Sequence, residues 1–89
     1  MGNRDKNEIV ASILESAASA KDECGIRLMR IMHDSFLSYA MVTHYLKLLT
    51  ENGSLEYDTP TKMYKITDRG LRFLELHEKM ETLLSSITT

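Results

Sequence analysis

The chain has 89 residues, of which 43% are hydrophobic and 27% are charged, and its net charge is -2. This length suits one domain with a modest core, and the hydrophobic fraction excludes a disordered tail. No apolar run approaches the roughly 20 residues that a membrane span requires. The only cysteine, Cys24, excludes a disulfide framework or a cysteine-based zinc site within one chain. We therefore expect a small cytoplasmic protein whose stability would benefit from a partner subunit.

Charge is distributed unevenly along the chain. Residues 26–72 carry seven basic and five acidic side chains, whereas the segments 1–25 and 73–89 each have two more acidic than basic side chains. The bias is mild, but it makes the middle of the chain the segment best suited to an anionic partner.

Two helices are predicted in the first part of the chain. Apolar residues at helical spacing predict a first helix over about 5–20, and Gly25 ends this pattern. A second, shorter helix fits residues 26–33. Its inward side chains are expected to be Ile26 and Met29, with Leu28 and Met32 as further candidates, and its outward side chains Arg27 and Arg30.

The third helix has the clearest start signal in the chain. Ser38 is a good N-cap, because its hydroxyl can accept a hydrogen bond from an unpaired backbone N–H. Leu37 and Val42 have the spacing of a hydrophobic staple. The helix is predicted over 38–52, and Gly53 is expected to end it in the left-handed conformation. The predicted buried stripe comprises Val42, Leu46, Leu49 and either Tyr45 or Leu48.

A short hairpin is predicted next. Residues 55–57 and 63–66 are strand candidates, and Pro60 favours a loop tip between them because it cannot donate to a β-ladder. Thr67 is then expected to cap the last helix. Gly70, in the first turn of that helix, either weakens the turn or allows close packing.

The last helix is predicted to run to about Ile87, with an apolar seam along one side. The seam residues, spaced three and four apart, are Phe73, Leu76, Met80, Leu83 and Ile87. This spacing is typical of a coiled coil, and the seam would be exposed in a monomer. The pattern therefore predicts a homodimer formed through this helix, in an antiparallel arrangement.

A polar helix that ends at a glycine and leads into two short strands is the layout of a winged helix-turn-helix, a mainly α fold with a small β-hairpin. The segments that carry a closer likeness are IRLMRIMHDSFLSYAMVTHYLKLLTENGSLE and YKITDRGLRFLELHEKM. They resemble the small archaeal winged-helix DNA-binding proteins described as ten-kilodalton chromatin-associated proteins or predicted transcriptional regulators.

The resemblance implies double-stranded DNA binding by two winged-helix heads, joined by an antiparallel coiled coil of the C-terminal helices. It divides the chain into a winged helix-turn-helix domain, 1–67, and a dimerisation helix, 68–89, within one structural unit. This chain is acidic where chromatin-type members are basic, and its last helix is short. Both departures favour a transcriptional regulator of particular sites over a bulk coat of chromatin.

The candidate DNA-binding residues follow from the helix-turn-helix, whose second helix enters the major groove with its N-terminal side chains toward the bases. Thr43 and His44 are expected to reach base edges, and Tyr39 and Lys47 to contact phosphates. The complete set is Arg27, Arg30, Ser38, Tyr39, Thr43, His44, Lys47, Lys62 and Lys65. An ordinary solvated helix face and an exposed hairpin edge would show the same residue types.

No catalytic site, metal site or cofactor is predicted. His33, His44 and His77 lack metal-site spacing, and the sequence has no glycine-rich phosphate loop and no indication of a catalytic triad. We therefore predict a non-enzymatic DNA-binding dimer without a membrane partner or an evident small-molecule ligand. The alternative, favoured by the net charge of -2, is a protein-interaction module that keeps the fold without affinity for DNA.

Overall fold

A computed structural model of the chain describes residues 5–20 and 25–88. Within these residues the elements follow the order α1 (Lys6–Ser19), α2 (Leu28–Ser35), α3 (Tyr39–Glu51), β1 (Leu55–Asp58), β2 (Met63–Ile66) and α4 (Asp68–Thr88). The strands β1 and β2 form an antiparallel hairpin. The predicted fold class, mainly helical with a small hairpin and a long last helix, is confirmed. Cys24 lies outside the described residues.

The hydrophobic core lies where α1 packs against α2, with α3 and the hairpin closing it. Its largest fully buried apolar side chains are Ile13, Leu14, Ile31, Val42, Leu46 and Leu55. Burying one such side chain stabilises a fold by about 1.5–3 kcal/mol. Helix α1 begins at a capping box in which the Asp5 carboxylate accepts the Glu8 N–H at 2.8 Å. The cap fixes the start of the helix that contributes most to this core.

Helix α2 begins at Leu28, two residues later than predicted. Ile26 is extended and forms an antiparallel bridge to Tyr64, with N–H to carbonyl distances of 2.9 and 2.7 Å. The prediction that Met29 faces inward was wrong, because its side chain is 61% exposed whereas Ile31 is fully buried. Apolar residues occur on both sides of this short helix. Periodicity alone could therefore not predict which side faces the core.

Helix α3 follows the sequence prediction closely. The Ser38 hydroxyl accepts the Met41 N–H at 3.2 Å, and Gly53 ends the helix with a φ of 87°. The buried stripe of Val42, Leu46 and Leu49 is also confirmed. Its fourth member is Tyr45, which packs against the core, whereas Leu48 is 42% exposed. The exposed face of α3 is therefore defined as the side opposite this stripe.

The start of α4 is bonded to the end of α3. The Thr67 hydroxyl donates to the Gly53 carbonyl at 2.6 Å and accepts the Gly70 N–H at 3.2 Å, so it also caps α4 as predicted. The Arg69 guanidinium donates to the Asn52 carbonyl at 2.5 Å. A cation at the last carbonyls of a helix complements the helix dipole. These bonds fix the direction in which α4 leaves the core.

Gly70 packs against backbone at this junction. A Cβ placed there would lie 2.5 Å from the Ser54 carbonyl oxygen and 2.7 Å from Cγ1 of Ile66. Both distances are shorter than real Cβ contacts. The close-packing interpretation of Gly70 is therefore confirmed, and it explains a residue that otherwise lowers helix propensity.

Replacing Gly70 by alanine tests this contact. Helix propensity alone would make Gly70→Ala stabilising by about 1 kcal/mol. Overpacking against a backbone carbonyl should reverse the sign and lower the free energy of unfolding by about 1–3 kcal/mol. Urea denaturation followed by circular dichroism measures this change, with the exposed Glu75→Ala as a control on the same helix. A more stable Gly70→Ala protein would contradict the packing argument.

Candidate nucleic-acid interface

The outward side of α3 carries the side chains that the sequence assigned to base and phosphate contacts. Tyr39 is 63% exposed, and His44 and Lys47 are also exposed. The Thr43 hydroxyl donates to the carbonyls of Tyr39 and Ala40 at 2.9 and 3.0 Å. This hydroxyl keeps acceptor capacity, so Thr43 can still accept a hydrogen bond from a base. The face offers hydrogen-bonding groups with one cationic side chain.

His44 is held against a neighbouring ring on α3. Its imidazole meets the Tyr45 ring edge-on, with centroids 5.3 Å apart and an interplanar angle of 80°. Because Tyr45 packs against the core, this contact restricts the His44 ring on an otherwise open surface. A restricted imidazole loses less conformational entropy on binding a partner than a freely rotating one does.

The two arginines predicted to clamp the DNA backbone differ in their surroundings. Arg27 is the N-cap residue of α2 and is exposed. Arg30 pairs with Asp34, with Nε and Oδ2 3.2 Å apart, and Asp34 also accepts the Ser16 hydroxyl at 2.8 Å. An exposed ion pair of this type contributes little free energy. Arg30 is therefore positioned by Asp34 and can still exchange this partner for a phosphate.

The turn between β1 and β2, residues 58–62, is ordered by its own hydrogen bonds. The Asp58 carboxylate accepts the Thr61 hydroxyl at 2.5 Å and the Thr61 N–H at 3.1 Å. These two bonds hold the pKa of Asp58 below its usual value. Lys62 occupies the left-handed region with a φ of 59°. The positive charge of Lys65 lowers the pKa of Asp58 further, so the turn holds an ionised carboxylate.

Lys65 lies on the outer side of the hairpin. It is exposed, and its Cα partner across the ladder is Glu56. Opposite charges that face each other across a strand pair attract and partly neutralise each other. Lys65 therefore offers less unopposed positive charge than its place in the sequence suggests.

Tyr57 and Tyr64 pair across the hairpin close to this turn. Their rings are 4.8 Å apart at 47°, and Tyr57 is 44% exposed. Burial raises the pKa of Tyr64, and the phenols of Tyr57 and Tyr39 raise it further. Strand alternation places both hairpin tyrosines on the same hairpin face as Leu55 and Ile66.

Comparison with known proteins identifies the family. A model of the winged helix-turn-helix matches residues 3–85. The chain belongs to the winged helix-turn-helix family. Its fold is similar to the crystal structure of Sso10a-2, described as a DNA-binding protein from Sulfolobus solfataricus, with a TM-score of 0.77 and 23% identity over 96% of this chain and 86% of that one. No curated protein sequence matches the chain. The winged-helix family predicted from the sequence is confirmed.

In winged-helix terms, α2 and α3 form the helix-turn-helix, and the hairpin turn 58–62 is the wing. Ile26 supplies the short additional strand that pairs with the returning strand of the wing. The α2–α3 turn contains Phe36, which is 89% exposed and has a φ of 57°. No sequence signal predicts this left-handed phenylalanine, because glycine and asparagine are the residues usually found in that conformation at the end of a helix.

The C-terminal half of α4 carries an exposed apolar surface. Leu76, Met80, Leu83 and Ile87 are between 56 and 76% exposed, and Leu84, which was not predicted, is 50% exposed. Phe73 differs, because it is half-buried against the chain's own core and its ring stacks on His77 at 6.1 Å. The seam therefore starts in the core at Phe73 and emerges from it at Leu76.

The described part of the chain holds neither a metal-binding cluster nor a membrane-spanning helix. Within residues 5–20 and 25–88, no three histidine, cysteine or acidic side chains are grouped so that they could hold a metal ion. The helices in the same ranges are too short or too polar to cross a membrane.

Removal of the α3 cap tests how firmly the exposed face is positioned. Ser38→Ala should lower the free energy of unfolding by about 1 kcal/mol, because the Met41 N–H loses its acceptor. Chemical denaturation measures the loss. The control is Ser86→Ala near the end of α4, where an exposed change should alter stability by less than about 0.5 kcal/mol. Equal stability of the two variants would mean that Ser38 does not anchor α3.

Proposed function

We propose that this protein binds double-stranded DNA as a homodimer and acts as a transcriptional regulator that occupies particular sites. The observation that carries the proposal is the exposed polar face of α3 beside a wing, in a winged helix-turn-helix fold. The similar structure, Sso10a-2, is described as a DNA-binding protein. This function requires no catalytic residue and no cofactor.

The proposed contacts divide into base reading and backbone positioning. Helix α3 enters the major groove, where Thr43 and His44 meet base edges. The backbone contacts are assigned to Arg27, Arg30, Ser38, Tyr39, Lys47, Lys62 and Lys65. Phosphate contacts fix register and orientation, whereas the base contacts give the sequence preference. The exposure of His44 and Lys47 on α3 supports this division.

Dimerisation through α4 is part of the proposal. The exposed seam side chains Leu76, Met80, Leu83 and Ile87 would be covered by the seam of a second copy in an antiparallel coiled coil. Phe73, which is half-buried in its own core, would form the inner end of that interface. Contiguous exposed apolar surface of this type usually marks an interaction site. Two linked heads would also strengthen binding, because the second head binds at a high effective concentration.

Acidic residues favour a second candidate function. Glu56 faces Lys65, and Asp58 lies within the wing, so acidic groups accompany both wing lysines. Together with the net charge of -2, they suit a winged helix that contacts a protein partner without appreciable affinity for DNA. The same binding experiment separates the two functions.

Duplex binding measured over a range of salt concentrations tests the proposal. The affinity should fall steeply with salt, because each neutralised phosphate releases counterions. A binding-site selection on random duplexes supplies the preferred site. No binding at low salt with micromolar protein would reject the DNA function and favour the protein-interaction alternative.

Single variants of α3 test the division of roles. Thr43→Ala and His44→Ala should change the sequence preference, each costing about 1–3 kcal/mol at the affected position. Lys47→Ala should weaken all duplexes alike and reduce the salt slope by about one. Equal loss of sequence preference in all three variants would contradict the assignment.

A charge within the seam tests the dimer. Light scattering of the unmodified protein should give twice the chain mass of 10.2 kDa. Leu83→Glu should give the monomer mass, because it places a carboxylate in an apolar interface. Ser85→Glu adds the same charge away from the seam and should leave the dimer intact. A monomer mass for the unmodified protein at every concentration would contradict dimerisation.

A further inference from the structure

We propose that two copies of α4 pair antiparallel in one particular register. In this register Met80 packs against the partner's Leu83. One turn nearer to the head, Leu76 packs against the partner's Ile87. This inference rests on the proposed dimer and deepens it, because it names the side chains that meet and sets the distance between the two winged-helix heads.

The head of each chain covers the first turns of its own α4. Gly70 is buried, and Phe73 packs against the core. From Leu76 to Ile87, by contrast, every seam residue is at least 56% exposed. A second helix can therefore cover the seam only from Leu76 onward. Two antiparallel segments of this length overlap completely only when Leu76 of one chain lies opposite the partner's Ile87.

The covered turns also favour antiparallel over parallel helices. Phe73 continues the seam by its spacing, yet it packs against the core of its own chain. In a parallel pair, the covered turns of both helices would face each other at the same level, although paired helix axes lie only about 8–10 Å apart. In the antiparallel pair, only the end of the partner's α4 lies at this level. Each head therefore has room beside the coiled coil.

The side chains that flank the seam distinguish this register from the next one. Flanking side chains of paired helices meet and set how the helices pair. In the proposed register, Lys79 meets the partner's Ser86 and His77 meets the partner's Leu84. A shift of one heptad towards the heads would bring Lys79 against the partner's Lys79, and like charges at such positions are unfavourable. The same shift would move Ile87 onto the covered first turn of the partner's α4.

The register accounts for the exposure of Leu84, which lies beside the predicted seam and is 50% exposed. Its counterpart in the dimer is the partner's His77. The His77 ring stacks on Phe73 with centroids 6.1 Å apart, so it presents an apolar face on this flank. Leu84 of each copy would extend the apolar contact beyond the seam.

The register also sets the separation of the two heads. At a rise of about 1.5 Å per residue, the two copies of Asp68, the first residue of α4, lie about 40 Å apart along the helix axis. The register shifted by one heptad towards the heads would place them about 30 Å apart. A measured distance therefore distinguishes the two registers.

Disulfide trapping between single-cysteine variants tests which side chains meet. Cys24→Ser removes the native thiol, and Met80→Cys and Leu83→Cys are made separately in that background. A disulfide requires Cβ atoms about 3.5–4.5 Å apart, so side chains in one layer react most readily. After subunit exchange and mild oxidation, the mixture of the two variants should give several-fold more cross-linked dimer than either variant alone. Intact-mass spectrometry identifies the mixed disulfide.

Other cross-linking patterns would overturn the register. Strong cross-linking of Met80→Cys by itself would indicate parallel helices. Cross-linking of a mixture of Leu76→Cys and Met80→Cys, in excess of the first mixture, would indicate the shifted register. Ser85→Cys is the matched control, because it lies on the same helix away from the seam and should remain uncross-linked.

A distance measurement tests the register without changing the interface. Spin labels on Asp68→Cys, in the Cys24→Ser background, lie on an exposed residue at the start of α4. Pulsed electron paramagnetic resonance should give a separation of about 40 Å. A distance of about 30 Å would indicate the shifted register, and one below about 20 Å would indicate parallel helices. This measurement decides the question even if a seam cysteine weakens the dimer.

The outcomes separate the register from the dimer on which it rests. If light scattering shows a dimer but the cross-links or the distance fit another arrangement, the register is overturned and the dimer stands. If the unmodified protein is a monomer at every concentration, the dimer is rejected and the register with it.

Discussion

The contact between Gly70 and the Ser54 carbonyl determines how the parts of this molecule are arranged. With no Cβ at residue 70, the first turn of α4 approaches the backbone that links α3 to β1. Thr67 and Arg69 then bond to the Gly53 and Asn52 carbonyls, directly after α3. One junction therefore fixes the end of α3, the start of the hairpin and the direction of α4. The proposed reading helix, wing and dimerisation helix all depend on it.

Acidic residues accompany several of the basic residues that are proposed to contact phosphates. Of the basic residues proposed to contact phosphates, Arg30 pairs with Asp34, Lys65 faces Glu56, and Lys62 shares its turn with Asp58. Much of the positive potential is opposed locally. Hydrogen bonding and shape would then contribute a larger share of the binding free energy. Such a balance suits a protein that prefers particular sites, because non-specific binding depends mainly on charge.

The two halves of α4 have different surroundings. Near its start, Phe73 and Leu74 pack against the core of the same chain, whereas Leu76 and the later seam residues are exposed. The described structure extends 47 Å along its longest axis. A head with its own core thus carries a projecting apolar helix. In the proposed dimer, the same helix would set the spacing between the two heads.

The sequence alone determined the N-caps Ser38 and Thr67, the strand positions, the left-handed Gly53 and the long last helix, because these depend on local chemistry and on apolar periodicity. It also determined the winged-helix family. Tertiary contacts decided which face of α2 is buried, the bridge of Ile26 to Tyr64 and the need for glycine at position 70. A local pattern specifies the shape of a segment, but the partner of each face is set only when segments compete for the same core.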